Sequence, residues 1–132
     1  LTTDLKRVKL SGLLRKGHYT LVELWASWCG PCRADIPHLK ETYERYHGKG
    51  FDMVSISIDD DTDAWLKAVK EEGMAWTQVC GANGKSYDKE CMKLFGTNGV
   101  PSCVLVDAEG RVVSTNARGG WLNEKLAKLF QE

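Results

Sequence analysis

Cys29-Gly30-Pro31-Cys32, preceded by Trp28, constrains this chain more than any other stretch. In front of it, Thr20-Leu21-Val22-Glu23-Leu24-Trp25-Ala26 reads as a strand, and behind it Ile36, Leu39, Tyr43 and Tyr46 recur at helical intervals. Two cysteines three apart at the start of a helix occupy neighbouring positions on one turn. That spacing lets their sulfurs reach the short Cα separation a disulfide needs. A dithiol on a strand-to-helix turn is a site for thiol–disulfide exchange.

From Leu24 to Pro37 the chain resembles the active-site segment of thioredoxins, in the whole Trp28-Cys29-Gly30-Pro31-Cys32 run and in the proline five residues after the second cysteine. Within that superfamily it is most similar to the TlpA/ResA-type thiol–disulfide oxidoreductases of bacteria, over nearly the whole chain from Val8 onward. The resemblance implies an α/β, thioredoxin-like fold, a central mixed β-sheet flanked by helices. The stretch from Cys32 to Pro101 is longer than in a minimal thioredoxin by one strand–helix unit, about thirty residues. An extra strand–helix insertion is therefore expected between the CxxC helix and the strand opened by Pro101, somewhere between Ile58 and Phe95.

The totals agree with one such domain. A chain of 132 residues is one domain by length and buries roughly two-thirds of its unfolded surface. Eighteen basic and eighteen acidic residues cancel, which argues against a nucleic-acid groove or a membrane-surface patch. No apolar run approaches the roughly eighteen residues of a membrane span. The sequence starts at Leu1 and shows no signal peptide, so residues 1–132 are expected to be a single mature or excised domain, from which an address or anchor could have been removed. Five cysteines rule out a fully paired disulfide framework within one chain. Cys80, Cys91 and Cys103 have no second C-x-x-C and no histidine at ligand spacing, so neither a metal nor another cofactor is expected. The resemblance implies protein disulfides as substrates, an upstream thiol as electron donor, a monomer, and an extracytoplasmic location, periplasmic or membrane-tethered.

Along the chain, Val8–Leu10 reads as a short first strand, with a turn over Ser11–Leu14. A central strand is expected over Tyr19–Ala26, apolar on both faces. The CxxC helix should run from Cys32 to His47, kink near Pro37, and end at Gly48 and Gly50. Phe51–Ile58 is a second central strand. The acidic run Asp59–Asp63 lacks the glycine and distal glutamate of a calcium loop. It reads better as a helix start capped by Asp61 or Thr62, before a helix that Gly73 stops. Gly84-Lys85-Ser86 imitates a phosphate loop, but Val79 stands where that motif needs glycine, so it is a turn. A short helix follows over Lys89–Phe95, then a strand over Ser102–Val106 and a hairpin turn at Asp107–Gly110 into residues 111–116. A last helix places Leu122, Leu126, Leu129 and Phe130 on one face, with Gly119 or Gly120 near the substrate groove.

Glu23 interrupts the central strand six residues before Cys29, where thioredoxins usually carry a buried aspartate. Burying an unpaired carboxylate raises its pKa, which suits a group exchanging a proton with the Cys32 thiol; the competing expectation is a solvated glutamate on an edge strand. The lysine that accompanies the thioredoxin aspartate is replaced at about Ser55. Cys29, at the helix N-terminus, is the expected nucleophile, its thiolate favoured by backbone N–H groups and the dipole. Cys32, one turn in and more buried, resolves the mixed disulfide. Trp28, Gly30, Pro31, Val100 and Pro101 are the expected substrate-binding residues. By resemblance the Val100–Pro101 bond is cis and Val100 offers its backbone to an extended substrate segment. Pro31 has no N–H to give a sulfur, so a reducing couple is expected, with thioredoxin's potential of about −270 mV the nearest guide. Cys103 reads as an inert buried thiol, and Cys80 and Cys91 either pair or stay free.

The expected activity is thus that of a thiol–disulfide oxidoreductase, a reductase or isomerase of protein disulfides. A thiol peroxidase on the same fold resembles its relatives in a threonine or serine three residues before the reactive cysteine and a proline four before that. Here those positions are Ala26 and Val22. A non-catalytic docking module is the other alternative, and it has no use for a paired dithiol.

Overall fold

The computed structural model describes residues 14–15, 17–59, 61–80, 100–114 and 117–130. Among them, five strands form one mixed sheet: β1 (Tyr19–Trp25), β2 (Phe51–Ser57), β3 (Thr77–Cys80), β4 (Ser102–Val106) and β5 (Val112–Ser114), in the order β3-β2-β1-β4-β5. Three helices accompany it: α1 (Gly30–Tyr46), α2 (Thr62–Glu72) and α3 (Gly119–Leu129). The sheet is the thioredoxin-like one that the sequence implied.

β1 lies at its centre, parallel to β2 and antiparallel to β4. Successive side chains of a strand point to opposite faces, and both faces of β1 are buried. Leu21 and Trp25 join one cluster with Cys32, Ile36 and Leu39 of α1, Trp65 and Ala68 of α2, and Leu122 and Leu126 of α3. Val22 and Leu24 join Val54, Ile56, Val79, Val104 and Val106 on the other face. β3 extends the sheet outward from β2, in parallel. With α2 it lies in the stretch where the insertion was expected; residues 81–95, with the turn expected at Gly84 and the helix expected over Lys89–Phe95, lie outside the described residues. So do the strand expected at Val8–Leu10 and any pairing of Cys91.

Local chemistry sets the element ends. α1 starts at Gly30, two residues ahead of the sequence expectation, because Cys29 itself is the N-cap and Pro31 sits in the first turn, where a missing N–H costs nothing. The helix continues through Pro37 to Tyr46, followed by a 3-10 turn over His47–Lys49, and Gly50 exits with φ of 96°. Asp61 caps α2 by accepting from the amides of Asp63 and Ala64, and Gly73 closes it in the left-handed region with φ of 60°. The Asp107–Gly110 turn joins β4 to β5, with Asp107 accepting from the amides of Glu109 and Arg111.

Candidate active site

The sheet brings the chemistry to one of its ends. Trp25 closes β1 opposite Ser57, the last residue of β2. Ser102, the first residue of β4, pairs with Leu24. The Val100–Pro101 peptide, which is cis, therefore lies at the same end as the turn from β1 into α1. At that turn Cys29 and Cys32 are bonded, with Cα atoms 5.2 Å apart. Cys29 Sγ also accepts the amide of Cys32 at 3.2 Å. Cys29 is 5% exposed and Cys32 fully buried, whereas Trp28 is 68% exposed. Gly30 and Pro31 are exposed at the helix tip, and Pro101 is half-buried. Val100 packs partly buried against both core clusters.

Glu23 stands on the same face of β1 as Leu21 and Trp25, in the layer between the sheet and α1. It is 1% exposed. Its carboxyl Oε1 accepts the Ser55 hydroxyl at 2.6 Å, and Ser55 Oγ in turn accepts the Trp76 indole N–H at 2.7 Å. Its Oε2 has no hydrogen-bond partner among the described residues. Burial is the largest influence and pushes the Glu23 pKa from 4.5 to about 7; the Ser55 hydroxyl opposes it, Asp35 adds to it and Arg118 again opposes it. A carboxyl in that range holds or releases a proton at neutral pH. We expect Ser55→Ala to move the Glu23 titration upward, since it deletes the hydrogen bond to the charged form, and the acid limb of the pH–rate profile reads that shift.

Cys103 faces Glu23 across the β1–β4 pairing. Burial, and then the nearby Glu23, push its thiol up to about 12, so it stays protonated and unreactive at neutral pH. It lines a cleft of about 200 Å³ with Asp35, His38, Arg118 and Gly119; neither Cys29 nor Cys32 borders that cleft. Asp35 of α1 and Arg118, just before α3, form an ion pair. The sequence points to Cys29, Cys32 and Glu23 but not to the Trp76 support of Ser55 or the Asp35–Arg118 pair. The latter partners lie 83 positions apart, a distance over which no local pattern operates. Among the described residues no group of histidine, cysteine and carboxylate side chains is placed to hold a metal, and no helix is long and apolar enough to cross a membrane.

A dithiol at a helix tip, with a buried titratable carboxyl in the layer beneath the helix, marks out a particular group of proteins. The redoxin family profile matches residues 1–121. The chain belongs to the redoxin family. Over 132 residues it is 25% identical to the thiol-disulfide oxidoreductase ResA of Bacillus thuringiensis subsp. konkukian, covering all of this chain and 73% of that protein. Among solved structures, it is similar to the thioredoxin domain of a thiol-disulfide oxidoreductase from Bacteroides vulgatus, with a TM-score of 0.87, 31% identity, and 98% of this chain and 90% of that one covered. A thiol-disulfide oxidoreductase from Bacteroides fragilis gives a TM-score of 0.86 and 29% identity over 97% of this chain and 93% of that one. The redoxin is thus of the thiol–disulfide oxidoreductase type, with Cys29 and Cys32 as its CxxC pair.

Proposed function

We propose that this redoxin reduces protein disulfides by a two-step exchange at Cys29 and Cys32. In the first step the Cys29 thiolate attacks a substrate disulfide, forms a Cys29–substrate mixed disulfide and releases one substrate thiolate. In the second, Cys32 loses its proton and attacks Cys29 Sγ, releasing the second substrate thiolate and leaving the Cys29–Cys32 disulfide. Two electrons pass from the dithiol to the substrate, and an upstream thiol restores the dithiol in the reverse sense. The roles follow from position: Cys29 is the N-cap, where amides and the helix dipole favour a thiolate, and Cys32 is the buried partner.

Glu23 takes the proton that Cys32 must lose. A carboxyl with a pKa of about 7 is ionised often enough to accept it and protonated often enough to return it in the oxidising direction. Trp28, Gly30, Pro31, Val100 and Pro101 form the docking surface, with the Val100 backbone pairing to an extended substrate segment. The protein works as a monomer, in an extracytoplasmic compartment where disulfide substrates persist.

The observation that carries this proposal is the bonded Cys29–Cys32 pair at the tip of α1, over a strand whose one buried carboxylate is Glu23. A Cys32→Ser protein tests it. We expect that variant, incubated with extracytoplasmic proteins, to accumulate disulfide-linked adducts through Cys29 that dissolve on reduction. Absence of any adduct, with Cys29 fully alkylatable, would overturn it.

A further inference from the structure

We propose that Asp59 and Arg33 are positioning residues that grip Ser27 from opposite ends and so fix the turn presenting Trp28 and Cys29 to substrate. The Cys29 amide donates to the Ala26 carbonyl at 3.1 Å, so Ala26–Cys29 is a β-turn with Ser27 and Trp28 as its two central residues. Trp28 is mostly exposed, and the backbone of this turn sets where it points.

Every polar group of Ser27 is engaged by these two side chains. Its amide donates to both Asp59 carboxylate oxygens, at 3.0 and 3.2 Å, and its hydroxyl donates to Oδ1. Its carbonyl accepts from Arg33 Nη1 at 3.4 Å. Both grips are themselves braced. Asp59 is buried at the end of β2. It accepts the Ser57 hydroxyl, returns its own amide to Ser57 Oγ at 2.9 Å, and its carbonyl takes the Cys80 thiol at 3.5 Å. Arg33 is held by Glu72 at 3.0 Å and Glu71 at 2.9 Å, at the C-terminal end of α2.

A carboxylate buried to this degree is retained against a desolvation cost of several kcal/mol only where its lone pairs are filled. Here the donors that fill them belong to one residue of the active-site turn and its β2 neighbour. The charge of Arg33 is matched by two glutamates, so it acts on Ser27 through geometry more than through net charge. The turn is thereby locked to β2 and α2 rather than left to the covalent chain alone. Displacements of about 1 Å at a reacting centre cost on the order of a hundredfold in rate, which is the scale of effect such a lock controls.

The inference builds on disulfide exchange at Cys29, but its test reads Cys29 directly. The pH dependence of Cys29 alkylation is measured in the reduced protein by peptide mass spectrometry, beside kcat and KM for a protein disulfide such as insulin. Arg33→Ala, at a half-exposed position, and Asp59→Ala are compared with Asp59→Asn, which keeps one acceptor for the Ser27 amide. We expect both alanine variants to raise the Cys29 alkylation midpoint, because a loosened turn withdraws the sulfur from the Cys32 amide. The loss in kcat/KM should be on the order of tenfold or more, with Asp59→Asn recovering part of both. Should Asp59→Ala not fold, Arg33→Ala alone decides. Variants that melt earlier but keep the wild-type alkylation profile and kinetics would overturn the inference. Wild-type protein inactive on insulin would instead count against the proposed function, leaving the alkylation profiles to judge the clamp.

Discussion

We expect a Cys29→Ser protein to reduce protein disulfides no faster than the uncatalysed background. The buried Cys32 cannot replace it: its sulfur lies one turn inside α1 and is closed to solvent, away from the N-terminal position where amides and the dipole favour a thiolate. The third described thiol near the site, Cys103, cannot replace it either, since burial and Glu23 push it up to about 12, far from any useful thiolate fraction at neutral pH. Removing one sulfur therefore removes the whole activity. A single-turnover assay on reduced protein reads the result directly, and residual reduction by Cys29→Ser above background would point to a different nucleophile.

The second large effect belongs to Glu23→Gln. Glutamine preserves the shape and can still accept the Ser55 hydroxyl, so the variant should fold with the Trp76–Ser55 pair intact. It removes the titration. Below pH 4.5 the Glu23 carboxyl is protonated in the folded and unfolded chain alike, and its burial carries no ionisation penalty. Between pH 4.5 and about 7 the unfolded chain releases the proton while the folded protein still holds it, so the stability contributed by this group falls as pH rises. Above about 7 the loss is complete. The interval corresponds to about 3 kcal/mol. We therefore expect Glu23→Gln to match the wild type near pH 4.5 and to exceed it by that order at pH 8, as denaturant melts at several pH values will show. Activity moves the other way: without a proton acceptor for Cys32, exchange at neutral pH should fall about a hundredfold. A variant more stable yet slower is the signature of a carboxylate kept for chemistry, and parallel pH–stability curves would contradict it.

Much of this site was legible because its strongest determinants are local. The spacing of Cys29 and Cys32 and the cap at Asp61 with its stop at Gly73 lie within a few residues of what they control. Glu23 was legible for a different reason: a lone charge in a strand apolar on both faces must be buried if that strand is central, and β1 is central. In the sequence Ser55 stands out only as the place where a lysine is missing. That it donates to Glu23 follows from the β1–β2 register, which pairs the two directly. β3, four residues long, gave too short a pattern to separate from a loop. The grips on Ser27 join three segments, and the acidic run that contains Asp59 looked like helix-capping chemistry. Asp61 does that work, whereas Asp59 turns back toward the dithiol. Contacts of this kind are decided by topology, which brings residues together only after the sheet order is set.

The central claim, that Cys29 and Cys32 form a reducing couple, is tested most directly by the midpoint potential of that pair. It is obtained by equilibrating the protein in defined thiol–disulfide buffers and counting free Cys29 and Cys32. With a proline at position 31 offering no N–H to the thiolate, the account predicts a value near −270 mV, and a value above about −150 mV would contradict it by making the protein an oxidant.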